Sequence, residues 1–412
     1  MKRLFVLPVL AAALFVPSPA PSQELFAHIG AIKAGLSEIS GLEFTHEVPY
    51  ALITKEQLHH YLEERLHETM KPAGLHAEEL TLKMLGLIPP DYDLRQSTLD
   101  LLTEQAAAFY DFNKKKLFVL EGAGEGDEER VALIHELAHA LADQHFHLAK
   151  YVQEGLRSDD ASTARQAVME GQATWLMAAY ISHDAGGPAA VPAPVLKAMA
   201  HSMEISAAQQ YPIFSKAPPY IRESLVFPYA DGLLFQDAVY RKLGREAFGE
   251  VFRRPPASTR QVLHPEQYLD HVAPDIPAIP SVPSAHDFKK LADGTLGELD
   301  FRVLLSEYLD PDSGVELAAH LAGASYEVLE HKHDKFAVLG VASQWDSEDS
   351  ARQYFEQYRR VLKGKWKRLE ITGDTPAAFQ GRGDTGYFRV WREGATVNQL
   401  EGWNSPEPLG IR

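Results

Sequence analysis

"RVALIHELAHALADQ" (Arg130–Gln144) places two histidines, a glutamate and an aspartate in a run otherwise built almost wholly of Ala, Leu, Ile and Val. On a helix, His135 and His139 are four apart and project from one face, so their rings can converge on one ion. Glu136 sits one step round, outside such an ion's ligand shell but close to a water held there, where a general base belongs. Asp143 continues the histidine face one turn on, a natural place for a partner that orients a ligand. Val131, Leu133, Ile134, Leu137 and Leu141 bury the helix on more than one side. Unpaired charge is costly there, so the polar groups must answer one another or a cation. The plainer alternative is a pair of core histidines satisfied by hydrogen bonds.

A catalytic ion of the zinc type takes two histidines and one further protein ligand, and leaves a position for water. The chain has no cysteine, so that ligand must be His, Asp or Glu, and no disulfide framework exists. The next long helical pattern, "RQAVMEGQATWLMAAY" (Arg165–Tyr180), sets Glu170 among Val168, Met169, Ala173, Leu176 and Met177. Gly171 and Ala173 are small enough to let this helix approach the first closely.

Upstream, "AAAFYDFNKKKLFVLEG" (Ala106–Gly122) reads as a hairpin hinged at Asn113 and three lysines, the lysines taken as a solvated turn. "GLEFTHEVPYALIT" has loose strand alternation. Helical spacing follows over "KEQLHHYLEERLHETM", 77–87 and 94–105, then over 128–149, 162–182 and a region running to about Phe252. The stretch "VAPDIPAIPSVPS" (Val272–Ser284) carries too many prolines for regular structure and reads as a junction or wrapping linker. Beyond it, short β-rich runs and the helix-like "SEDSARQYFEQYRRVLKGKW" describe a small antiparallel sheet with one helix. The local basic run "KGKWKR" (Lys363–Arg368) reads as a charged helix end, and "LHHY", "HFHL" and "EHKHDK" as solvated histidines.

The 412 residues are 45% hydrophobic and 24% charged with a formal net charge of −17, which argues against nucleic acid as a partner. The N-terminus, "MKRLFVLPVLAAALFVPSPAPSQELF", has the basic start, apolar middle and small-residue end of a secretory signal, with a cut expected after Ser22. No later stretch is long and apolar enough to span a bilayer, so the expectation is export to the periplasm or the medium, with no membrane span once the signal is removed. The expected division is 1–22 signal, 23–271 first domain, 272–284 Pro-rich linker and 285–412 C-terminal domain.

"HELAH", followed 31 residues after His139 by "EGQAT", resembles the gluzincin class of zinc metallopeptidases. "HELAHALADQHF", "MEGQATWLM", "FPYADGLLF" and "PPASTRQVLHPEQY" are similar to exported bacterial metallopeptidase-like proteins, over roughly Gly41–Tyr268. The resemblance implies a mainly helical zincin-like catalytic domain with a small β-sheet; with the C-terminal antiparallel α+β domain read from its own pattern, the expected fold class is α+β. It implies that His135, His139 and Glu170 bind one Zn2+ and that Glu136 is the base. It also implies that an extended peptide or protein substrate pairs with the edge of the sheet above the metal helix. In thermolysin-like members an aspartate four residues after the ligand glutamate braces a histidine; here that position is Thr174, so Asp143, Asp159 or Asp160 would have to substitute, or the brace is absent.

Hydrolysis at such a centre builds charge on the carbonyl oxygen, which needs a Tyr or His donor opposite the ion. Tyr229, in a polar notch of "LVFPYADGLLF", is the first candidate, with a core or capping tyrosine as its alternative; His264, before Pro265, is the second, with surface placement as its alternative. The expected function is an exported zinc-dependent hydrolase of peptide bonds. Two other classes stand beside it: a non-catalytic metal-containing binding protein of the envelope on a peptidase-like scaffold, against which Glu136 speaks, and a metal-free helical envelope protein.

Overall fold

A computed structural model describes residues 28–69, 71–121, 127–188 and 190–406, together with a two-residue strand, Ala11–Ala12. The expected signal segment otherwise lies outside the described residues.

The α+β reading holds: a mainly helical unit is followed by an antiparallel sheet unit. The first unit opens with α1 (Ile29–Ser40), whose end is turned by Gly41 at φ 75°, a left-handed position suited to glycine. Strand β1 (Tyr50–Ile53) is shorter than the alternation from Gly41 suggested, because the residues before it form an irregular lead-in. Helices α2 (Lys55–Thr69), α3 (Pro72–Leu85) and α4 (Leu94–Gln105) follow. Proline at the start of α3 and the Asp93 side chain capping α4 through Gln96 N explain where two of them begin.

The hairpin forms as expected from β2 (Ala106–Asp111) and β3 (Lys116–Leu120), with β1 added parallel to β3 and Ala11–Ala12 antiparallel to the outer edge of β2. Against this sheet lies α5 (Asp127–Phe146). The chain breaks at His147, in the left-handed region at φ 55°, and resumes as α6 (Leu148–Gly155). Helix α7 (Asp159–Asp184) is capped by Ser158 and buried on almost every side. Helices α8 (Ala193–Gln210), α9 (Pro212–Lys216), α10 (Pro219–Leu243), α11 (Ala247–Arg253), α12 (Thr259–Leu263) and α13 (Pro265–Leu269) complete the unit.

The close approach at Gly171, expected toward the metal helix α5, falls instead against α10. A Cβ on Gly171 would stand 2.1 Å from the Gly232 backbone, and one on Gly232 2.3 Å from the Ala167 carbonyl oxygen. Two glycines thus let the backbones touch where any side chain would force them apart.

The C-terminal sheet is larger than expected: seven antiparallel strands in the order β4–β5–β6–β10–β9–β8–β7. They are β4 (Phe288–Leu296), β5 (Leu321–His331), β6 (Ala337–Trp345), β7 (Glu370–Asp374), β8 (Ala378–Gly383), β9 (Gly386–Glu393) and β10 (Thr396–Trp403). Three helices accompany it rather than one: α14 (Glu298–Tyr308), α15 (Pro311–Ala318) and α16 (Glu348–Lys365). β4 escaped notice because "FKKLADGTL" is too polar to alternate cleanly.

The Pro-rich stretch wraps rather than links. Asp275 N donates to the Ala322 carbonyl, Ser325 Oγ to the Pro277 carbonyl, and Val282 is buried with Phe288, Leu329, Val338, Leu400 and Trp403. The main apolar core includes residues of both units, from Ile32 to Val397. Among the described residues no helix is long and apolar enough to cross a membrane.

Candidate metal centre

The periodicity of "HELAH" brings its two histidines one above the other on α5, their rings edge to face with centroids 4.7 Å apart. His139 Nε2 lies 3.0 Å from His135 Nε2. Glu170, from the middle of α7, turns Oε2 to the same point, 3.1 Å from His135 Nε2 and 3.2 Å from His139 Nε2. All three residues are at least 95% buried, at 4%, 5% and 1% exposure.

This triangle is difficult to satisfy with hydrogen alone. If each ring donates to the carboxylate, the two nitrogens face each other at 3.0 Å with an N–H on both. Ligands placed about 2.0–2.1 Å from a tetrahedral ion stand about 3.3 Å apart. The edges of 3.0, 3.1 and 3.2 Å match that spacing, so the donor set fits an ion of this class. His135, Glu136 and His139 also form a buried group whose candidate ligand atoms lie within 4.8 Å of one another and could hold a metal ion.

The electrostatics of the bare site point the same way. Burial disfavours the charged ring and lowers the His135 pKa. Burial also opposes the proton on His139, but the Glu170 carboxylate outweighs it and raises His139 to about 9. Burial would raise Glu170, whereas His139 and His135 draw it down to about 2. The buried carboxylate thus favours positive charge beside it.

Glu136 is 1% exposed and its Oε2 accepts a hydrogen bond of 2.6 Å from the backbone N of Tyr110 on β2. The hairpin therefore does lie over the helix, as expected. Tyr229 comes to the centre from α10: its ring stacks on His135 at 5.9 Å between centroids and 29° between planes, and its hydroxyl hydrogen-bonds with Glu170. Burial, with the Glu170 and Glu136 charges close by, pushes the phenol well above its usual pKa, so it remains a donor.

His264 is not brought to this group. Its Nε2 bonds Glu298 of α14 at 2.9 Å and its Nδ1 lies 3.6 Å from Glu266, which makes it a tie to the C-terminal unit. The acids offered as a brace are engaged by other donors. Asp143 accepts from Tyr110 OH, Lys115 Nζ and Leu148 N, Asp159 from Tyr326 OH, and Asp160 from Thr259 N and Oγ1. Thr174 Oγ1 is buried without a hydrogen-bond partner among the described residues.

Two lysines depart from the solvated roles read for them. Lys115, in the hairpin turn, reaches buried Asp143 at 2.6 Å. Lys365, in "KGKWKR", is itself buried against Glu401 at 2.6 Å. The alternating burial of Lys365 among exposed neighbours was invisible in a run of like charge.

Residues 286–409 match the family model of a domain of unknown function (DUF8575), a span that falls on the C-terminal unit. No curated protein and no solved structure matches the chain.

Proposed function

We propose that the chain is an exported zinc-dependent hydrolase of peptide bonds, with His135, His139 and Glu170 as the ligands. The observation that carries this reading is the triangle of Nε2, Nε2 and Oε2 atoms 3.0–3.2 Å apart, offset by one residue from a second buried glutamate. Glu170 is assigned as ligand over Glu136 because its Oε2 is within 3.2 Å of both rings, while Glu136 is tied to Tyr110 N.

When bound, zinc supplies Lewis acidity that polarises a carbonyl and lowers the pKa of water. The chain's own residues supply the rest. Glu136 accepts a proton from the attacking water and returns it to the leaving amine. Tyr229, protonated and hydrogen-bonded to Glu170 in the resting site, turns its single hydroxyl proton from that carboxylate to the developing oxyanion. An extended substrate pairs with the outer edge of β2, which residues 11–12 of the expected signal segment occupy at Ala106 and Ala108 and which removal of that segment frees.

The test is metal analysis of the purified protein together with digestion of a peptide pool. Near-stoichiometric zinc is expected, lost in His135→Ala, and Glu136→Gln should retain zinc while cleavage falls about 10²–10⁴-fold. Cleavage undiminished by Glu136→Gln removes the mechanism.

A further inference from the structure

We propose that Tyr110, Asp143 and Lys115 form a two-point clamp that sets the orientation of Glu136, with Tyr110 as a positioning residue; this rests on the reading of Glu136 as the base. Tyr110 meets α5 twice. Its backbone N donates to Glu136 Oε2 at 2.6 Å, and its phenol donates to Asp143 Oδ2 at 3.0 Å. Residues 136 and 143 are seven apart, two turns or about 10.5 Å along one side of the helix. One attachment would leave the strand free to pivot about it. Two attachments fix both its height and its rotation against the helix.

Asp143 is fully buried at 0% exposure, yet it does not approach the metal group by any hydrogen bond. It instead gathers three donors from three segments: the phenol from β2, Lys115 Nζ from the hairpin turn at 2.6 Å, and Leu148 N from the start of α6 at 2.9 Å. Lys115 adopts φ 54°, a left-handed conformation unusual for a residue with a side chain. Its ammonium thus meets the buried carboxylate from a turn that is otherwise solvated.

The consequence falls on Glu136. A carboxylate anchored at one oxygen by an amide whose own position is fixed turns over a narrower range, and general-base efficiency depends on that orientation. The hydrogen-bonded route from Asp143 to Glu136 therefore runs through Tyr110.

Full-length protein labelled with 15N-tyrosine gives a readout that needs no turnover. The Tyr110 amide is assigned by its loss in Tyr110→Phe, and Glu136→Gln should move it upfield because the charged acceptor is gone. Asp143→Ala is expected to move the same resonance and speed its hydrogen exchange about tenfold, the size of one lost hydrogen bond. On a fluorogenic peptide pool, Asp143→Ala and Tyr110→Phe should each lower kcat about tenfold with KM and bound zinc unchanged. Lys115→Met, at a half-exposed site, should do the same by about threefold, and it decides the matter if Asp143→Ala does not fold. An unchanged Tyr110 resonance and exchange rate in the folded variants overturns the clamp. A wild-type protein that binds zinc but cleaves nothing overturns the role of Glu136, while the amide readout still tests the clamp.

Discussion

Two places in this molecule bury ionisable groups, and they do so in opposite ways. At the join of the two units, Lys365 Nζ gives one bond to Glu401 Oε2 and one to the Met84 carbonyl, and Tyr358 OH meets Glu401 Oε1. Every donor there points at an acceptor. At the α5–α7 contact two imidazole nitrogens and a carboxylate oxygen point at one another's common centre. The first arrangement is closed and fastens β10 and α16 to the end of α3. The second gathers its polar atoms on one point and could hold a metal ion there.

Breaking the closed cluster should cost stability whether or not metal is present. Lys365→Met strands Glu401 in the interior, and about 3–5 kcal/mol of stability should go, seen in denaturant melts with or without a chelator. The open cluster should respond to metal instead. With free zinc a thousandfold above Kd, a chelator should remove about 4 kcal/mol from the wild type, and nothing comparable from His135→Leu. Equal chelator sensitivity in the two proteins would erase the distinction between the regions.

Gly171→Ala tests the scaffold that presents Glu170. Its new methyl would meet the Gly232 backbone at 2.1 Å, which cannot yield as a side chain can. A loss of about 1–3 kcal/mol is expected, with weaker zinc retention and an intact Lys365 cluster. The smallest effect belongs to His264. Its bond to Glu298 raises its pKa in the folded state, so its contribution is complete below the unfolded value of about 6.5 and fades as pH rises through the raised one. With the ring partly solvated, it is worth a few tenths of a kcal/mol up to about 1 kcal/mol. Melts of wild type and His264→Ala should therefore differ at pH 6 and converge at alkaline pH.

The centre was legible because its signal is local: two histidines at helical spacing and an acid in an apolar run require only one helix each to be read. Tyr229 was reachable for the same reason, a polar notch between apolar stretches. His264 misled because an irregular stretch before a proline carries no information about which surface it meets, and Glu298 is 34 residues away. Lys115 and Lys365 were hidden by neighbours of the same charge; only tertiary contact separates the buried one from the solvated. The brace acids went elsewhere for a like reason: Asp159 and Asp160 sit at the start of α7, where the C-terminal sheet supplies Tyr326 and α12 supplies Thr259.

The prolines of 272–284 have a consequence for how this chain can be divided or inherited. A transplanted fragment limited to residues 286–409 would leave behind Val282, which closes a small apolar cluster, and Pro277, which holds Ser325. Structurally, the segment that covers this end of the sheet therefore begins upstream of the matched residues, near Val272. A cut between residues 284 and 286 would strip Val282 from the cluster of Phe288, Leu329, Val338, Leu400 and Trp403 and expose that apolar pocket to solvent.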